Sequence, residues 1–170
     1  MAERIEIDAG GLRLGITTAE SNLVRPVLVH TVASRRDPDF MLEVVSKQEV
    51  RLGRGFEIEQ KGDCFLFGMQ GVDCRLDIGK REGKLDVVPD AGALEYAMKV
   101  IISVLLLNRG GAIFHAAGII VGGAGLVFAG PHAAGKSTVA SYALEKGLTV
   151  IDDENIIIAR AADGRFRLFA

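Results

Sequence analysis

Leu126-Val127-Phe128-Ala129-Gly130-Pro131-His132-Ala133-Ala134-Gly135-Lys136-Ser137-Thr138-Val139-Ala140 is the stretch from which the fold is read. Residues 130 to 137 satisfy G-x-x-x-x-G-K-[ST] in full. At average residue frequencies a chain of 170 residues matches it by accident about one time in a hundred or less. An apolar run enters the loop and helix-forming residues leave it, the order in which backbone N–H groups converge on a phosphate. Gly130 and Gly135 permit a close approach that a Cβ obstructs. With Ala133 and Ala134 they line the expected cofactor-binding loop. Lys136 is expected at the β/γ-phosphates, the Ser137 hydroxyl on Mg²⁺, and Thr138 at an α-phosphate oxygen. The alternative is a glycine-rich turn with a surface lysine.

The flanks extend this reading. The spacing predicts a helix to about Lys146 that buries Val139, Ala140, Ala143 and Leu144, with Gly147 in the left-handed conformation. A strand over Leu148 to Ile151 then ends at Asp152-Asp153, placing carboxylates at a strand's C-terminal end, near the expected phosphates. One acid is suited to hold Mg²⁺ and the other to take a proton from an attacking hydroxyl; a solvated acidic turn is the alternative. Glu154 is left outside the catalytic set. Upstream, Ala112 to Val121, Gly122-Gly123 and Gly125 to Ala129 read as a hairpin. His115 lies on its first strand, either turned toward the γ-phosphate, paired with Asp152 or Asp153, or hydrogen-bonded within the core. His132 is expected to face solvent and His30 to be structural. A last hairpin is expected around Ala162-Asp163-Gly164.

Further out, residues 3 to 89 alternate apolar and polar side chains, as at Ile5 and Ile7, then Leu12, Leu14 and Ile16, then Phe40 and Leu42, then Phe56 and Ile58, which reads as half-buried strands. Turn residues at Ala9-Gly10-Gly11, Arg36 to Asp39, Lys61 to Asp63 and Glu82-Gly83 suggest hairpin-linked antiparallel strands. Helical spacing takes over after Asp90, in Leu94, Ala97, Ile101, Val104 and Leu105, until Asn108-Arg109-Gly110-Gly111. The expected organisation is a β-rich module over 1–90 and a nucleotide-binding core over 91–170.

The bulk numbers exclude several classes. With 49% hydrophobic and 25% charged residues the chain reads as globular. A net charge of −2 with scattered lysines and arginines speaks against nucleic acid. The N-terminus alternates charged and apolar residues and has no secretory core, so a cytoplasmic location is expected. The uncharged stretch 110–135 holds eight glycines, which favours a buried hairpin over a membrane span. Cys64 and Cys74 lack zinc or redox spacing and are expected as buried thiols.

Taken together, Phe114-His115-Ala116-Ala117-Gly118, the hairpin, Gly130 to Thr138 and Val150-Ile151-Asp152-Asp153 resemble the catalytic core of HPr kinase/phosphorylase and its kinase-like relatives, over about residues 92 to 170. The resemblance implies an α/β fold, a P-loop in a mixed sheet of the phosphoenolpyruvate carboxykinase type, preceded by the antiparallel β-rich module. It implies a serine kinase/phosphorylase that transfers phosphate between Mg-ATP and a protein hydroxyl, with ATP and Mg²⁺ as cofactors, and a homo-oligomer. By position, Lys136 and Ser137 hold phosphate and Mg²⁺, Asp152 is the acid/base, Asp153 a metal-side carboxylate and His115 a supporting group. His132 and Ala133 replace the family's small hydroxyl residue and further glycine. Only 34 residues follow Lys136, so a core truncated at its C-terminal end is expected. The first half resembles the N-terminal regions of kinase-like relatives, which argues against HPr as substrate. A non-catalytic nucleotide-binding regulatory module and a small-molecule kinase stand as alternatives.

Overall fold

The computed structural model describes residues 2–27, 37–50 and 56–170. His30 and Arg36 lie outside the described residues. Architecture is mixed α/β with two sheets. The chain divides into two compact units, Met1–Asp8 with Leu12–Ile102, and Ala9–Gly11 with Ser103–Ala170.

In the first unit the alternating segments form β1 (Glu3–Ala9), β2 (Leu12–Thr18), β3 (Phe40–Ser46), β4 (Glu57–Lys61), β5 (Cys64–Met69), β6 (Val72–Asp77) and β7 (Glu82–Val87). A short helix, α1 (Ser21–Val24), follows β2. The strand order is β1-β2-β3-β7-β6-β5-β4. Leu14, Ile16, Leu42, Leu76 and Leu85 are wholly buried. Each contributes about 1.5–3 kcal/mol of apolar transfer.

The expectation of antiparallel strands throughout holds for β4 to β7 but not for β3, which runs parallel to both β2 and β7. Parallel neighbours need a long connection. Residues 19–39 provide it between β2 and β3, and the β4–β6 meander separates β3 from β7. The turn expected at Glu82-Gly83 is likewise displaced. The chain reverses over residues 78–81, and Gly83 lies inside β7. A Cβ there would come within 2.8 Å of Leu76 Cδ2 and 3.0 Å of the Arg75 carbonyl oxygen, so this glycine serves close packing. Cys74 is buried and Cys64 only half-buried, and both thiols are free. Burial, then the Asp73 and Asp86 carboxylates, push the Cys74 thiol well above its ordinary value.

The helix α2 (Ala91–Leu107) follows. Asp90 caps it, Oδ1 accepting the Ala93 N–H at 2.7 Å. Asp90→Ala should cost about 1 kcal/mol, read as a midpoint lowered by roughly 2–4 °C in thermal unfolding. Asp90→Ser should restore most of it, and an unchanged midpoint in the alanine variant would remove the cap from the account.

In the second unit β8 (Ala112–Val121) turns at Gly122-Gly123 into β9 (Ala124–Ala129). Then come α3 (Lys136–Glu145), β10 (Thr149–Asp152), β11 (Asn155–Arg160) and β12 (Phe166–Phe169). Neighbouring strands all pair antiparallel, β8 with β9, β10 and β11, and β11 with β12. Among the described strands of this unit, hydrogen-bonded neighbours are therefore never parallel, unlike the mixed sheet that the resemblance implies for the core. β9 and β10 both oppose the same stretch of β8, so they run parallel to each other with β8 between them. Two such strands require a crossover, and α3 supplies it, packing on β8 and β10. Its buried residues are Lys136, Ala140 and Ala143, while Leu144, expected inside, is 61% exposed. Among the described residues no helix is long and apolar enough to cross a membrane.

Candidate functional site

Because β9 and β10 are parallel, their C-terminal ends meet at one edge of the sheet. This brings residues 130–135, which follow β9, beside Asp152-Asp153, which close β10. The β8 residues opposite those ends are Ala116, paired with Ala129, and Gly118, paired with Asp152. His115 is next to them. Three segments distant in sequence therefore share one place for a topological reason.

Around the loop the chain makes a left-handed residue at Ala133 (φ 61°) and another at Gly135 (φ 88°), directly before α3. The Ala134 N–H donates to the Pro131 carbonyl at 3.2 Å. The first α-helical hydrogen bond runs from the Val139 N–H to the Gly135 carbonyl at 2.9 Å. The N–H groups of Gly135, Lys136, Ser137 and Thr138 consequently have no acceptor within the helix, and no side-chain hydrogen bond caps this terminus. They carry the positive end of the helix dipole. Lys136 is 9% exposed. Its Nζ donates to the carbonyls of Gly130 and Pro131, each at 2.9 Å. An ammonium has three donors, so these bonds fix its position and use two of them.

Across from the loop, Asp152 Oδ1 accepts the Glu154 N–H at 2.7 Å and lies 3.5 Å from the Asn155 nitrogen. The Glu154 carbonyl accepts the Ala116 N–H at 3.2 Å and faces His115 Nδ1 at 3.0 Å. The acidic turn is thus anchored through its own backbone on both sides.

Loop and turn enclose a cavity of about 450 Å³ lined by residues 132–138, His115, Asp153 and Glu154. That is the size range of small-molecule sites. Of the residues singled out from the sequence, His115, Ala133, Ala134, Gly135, Lys136, Ser137, Thr138 and Asp153 line it. Gly130 contributes the carbonyl that holds Lys136. Asp152 is half-buried, outside the lining, with its carboxylate turned to the backbone. His132, expected to face solvent, is exposed and also lines the cavity, as does Glu154, left outside the catalytic set. Three consecutive acids look alike in sequence. Which of them face the cavity depends on the Asp152–Glu154 bond and on the register shift between Val150 and Asp152.

A second depression, about 480 Å³, lies on the first unit's sheet and includes Glu43, Asp77, Lys80, Glu82 and Lys84. Most of its charges pair with one another, Lys80 with Asp77 and Glu82, and Lys84 with Glu43, and Arg75 lines it as well. Such mutual pairing marks a solvated face, whereas the α3 terminus presents donors without side-chain caps.

No protein-family model and no curated protein matches this chain.

The loop carries a testable strain. A left-handed alanine costs about 1–2 kcal/mol, and glycine at the same position relieves this while adding roughly 0.4–1 kcal/mol of unfolded-state freedom. Ala133→Gly should accordingly be neutral or stabilising in urea unfolding. Ala134→Gly, where no positive φ is present, should lose stability. Equal losses in both variants would contradict a strained Ala133.

Proposed function

We propose that this protein binds Mg-ATP by its phosphates on the loop Gly130 to Thr138, in a P-loop core of the kind found in HPr kinase/phosphorylase, and acts as a serine kinase/phosphorylase on a protein hydroxyl. One observation carries the reading: the uncapped first turn of α3 and Lys136 line the same cavity as Asp153 and Glu154. A polyanion suits the first pair and a metal ion or reacting hydroxyl the second.

The residues fit Mg²⁺. Among the described residues no cluster of three His, Cys, Asp or Glu side chains forms a metal cage. Magnesium typically takes one or two carboxylates and completes its shell with phosphate oxygens and water. Ser137 and Asp153 supply hard oxygen donors on the same cavity. When bound, Mg-ATP supplies the phosphoryl group and a cation that offsets charge on its oxygens. Lys136 and the first turn of α3 would orient the phosphates, and a wall carboxylate would take the acceptor hydroxyl's proton. The cytoplasm, where Mg-ATP is abundant, is the compartment that goes with this activity, and a homo-oligomer is part of the proposal.

A non-catalytic nucleotide-binding module is the second reading. It is favoured by one observation, the engagement of the Asp152 carboxylate by the backbone of its own turn. Thermal unfolding with and without Mg-ATP tests what both readings share: a rise that depends on Lys136 supports the phosphate site, and no rise in the wild type ends both. Labelled phosphate appearing on a protein serine would then select the kinase.

A further inference from the structure

We infer that His115 is a positioning residue that acts through its Nδ1–H on the main chain of Glu154, holding the acidic turn in the orientation that presents Asp153 and Glu154 to the cavity. This rests on the phosphate-site reading above.

A carbonyl oxygen only accepts, so at 3.0 Å from it Nδ1 must carry the proton. In the neutral ring Nε2 is then the unprotonated nitrogen. The same carbonyl accepts the Ala116 N–H, and the N–H of the same residue is held by Asp152 Oδ1. Glu154 is therefore gripped at both backbone groups, by β8 on one side and by the end of β10 on the other. His115 is exposed and lines the cavity, so its bond is made at the wall itself. Removing a group that orients metal ligands typically costs about 10–100-fold in metal affinity. The register adds a reason for the residue's place: His115 pairs with Asn155, the first residue of β11, which starts where the acidic turn ends.

The test separates the two ring nitrogens. In His115→Asn the side-chain amide lands near Nδ1 and can donate to the same carbonyl; in His115→Gln it lands near Nε2 and cannot. Three measurements are made on the full chain. Long-range ¹H–¹⁵N NMR of the neutral imidazole reads the tautomer. Amide exchange at Ala116 reads the grip on the Glu154 carbonyl. The ratio of ATP affinities with Mg²⁺ and with EDTA reads the metal side. We expect an Nδ1–H tautomer, and faster Ala116 exchange in His115→Ala and His115→Gln but not in His115→Asn. The magnesium-dependent part of the affinity should fall about tenfold in the same two variants, with affinity in EDTA unchanged.

An Nε2–H tautomer, or rescue by glutamine and not asparagine, overturns the proposal and assigns the work to Nε2. Equal losses with and without Mg²⁺ reduce His115 to a general structural residue and also overturn it. Failure of the underlying reading looks different: the tautomer and exchange results hold, yet the wild type binds no nucleotide. That outcome removes the phosphate site, and with it the role of the contact.

Discussion

Lys136→Ala is expected to abolish the stabilisation that Mg-ATP confers on the wild-type chain. A ligand at about a hundred times its dissociation constant adds roughly 2.7 kcal/mol. For a chain of this length that is a midpoint rise of about 5–10 °C. Lys136 is the residue to remove because its ammonium is the cation held on the loop, tied at 2.9 Å to the carbonyls of Gly130 and Pro131. The variant loses those two bonds as well, so its unliganded midpoint should also drop. The decisive quantity is therefore the shift of each variant against its own unliganded state. A full Mg-ATP shift surviving in Lys136→Ala would show that nucleotide binds elsewhere.

Asp153→Asn should reduce phosphoryl transfer by about 10²–10⁴-fold, because it takes the carboxylate from the proposed Mg²⁺ site and with it several kcal/mol of charge stabilisation. Asp152→Asn should keep most of the activity. The resemblance assigns the acid/base to Asp152 and the metal side to Asp153, but the two carboxylates are placed differently. Asp153 lies on the cavity wall, and Asp152 Oδ1 accepts the Glu154 N–H. An asparagine at 152 retains an oxygen that can accept that bond, whereas one at 153 loses the negative charge needed at the wall. Steady-state turnover of both variants, each checked for folding by its unfolding midpoint, decides the matter. A collapse of activity in Asp152→Asn with Asp153→Asn unaffected would return the acid/base to Asp152. If neither affects a measurable turnover, the proton goes to another group, with Glu154 next on the wall.

Elements specified by short-range signals were legible in the sequence. The helical spacing after Asp90, the Gly122-Gly123 turn, the strand before the loop and the helix after it need only neighbouring residues, and each appears as α2, the β8–β9 hairpin and α3. The loop's motif likewise identified the segment that lines the cavity. Hydrophobic alternation marked strands in the first unit but was silent on partners, because a buried face looks the same in parallel and antiparallel pairs. Parallel β3 and the in-strand Gly83 thus came only from the pairing.

The same division runs through the site. Residue types and spacing in the chain itself determined that Gly130 to Thr138 would turn into a helix and that acids would end the next strand. Tertiary structure alone decided that β9 and β10 flank β8 in parallel, which sets loop and acidic turn at one edge. It also decided the register shift between Val150 and Asp152 that precedes the wall residues Asp153 and Glu154, whereas the Glu154 N–H bond to Asp152 Oδ1 spans only two residues and is local. The parallel placement joins segments that are far apart along the chain and the register shift displaces the pairing by a single residue, and no local pattern encodes either.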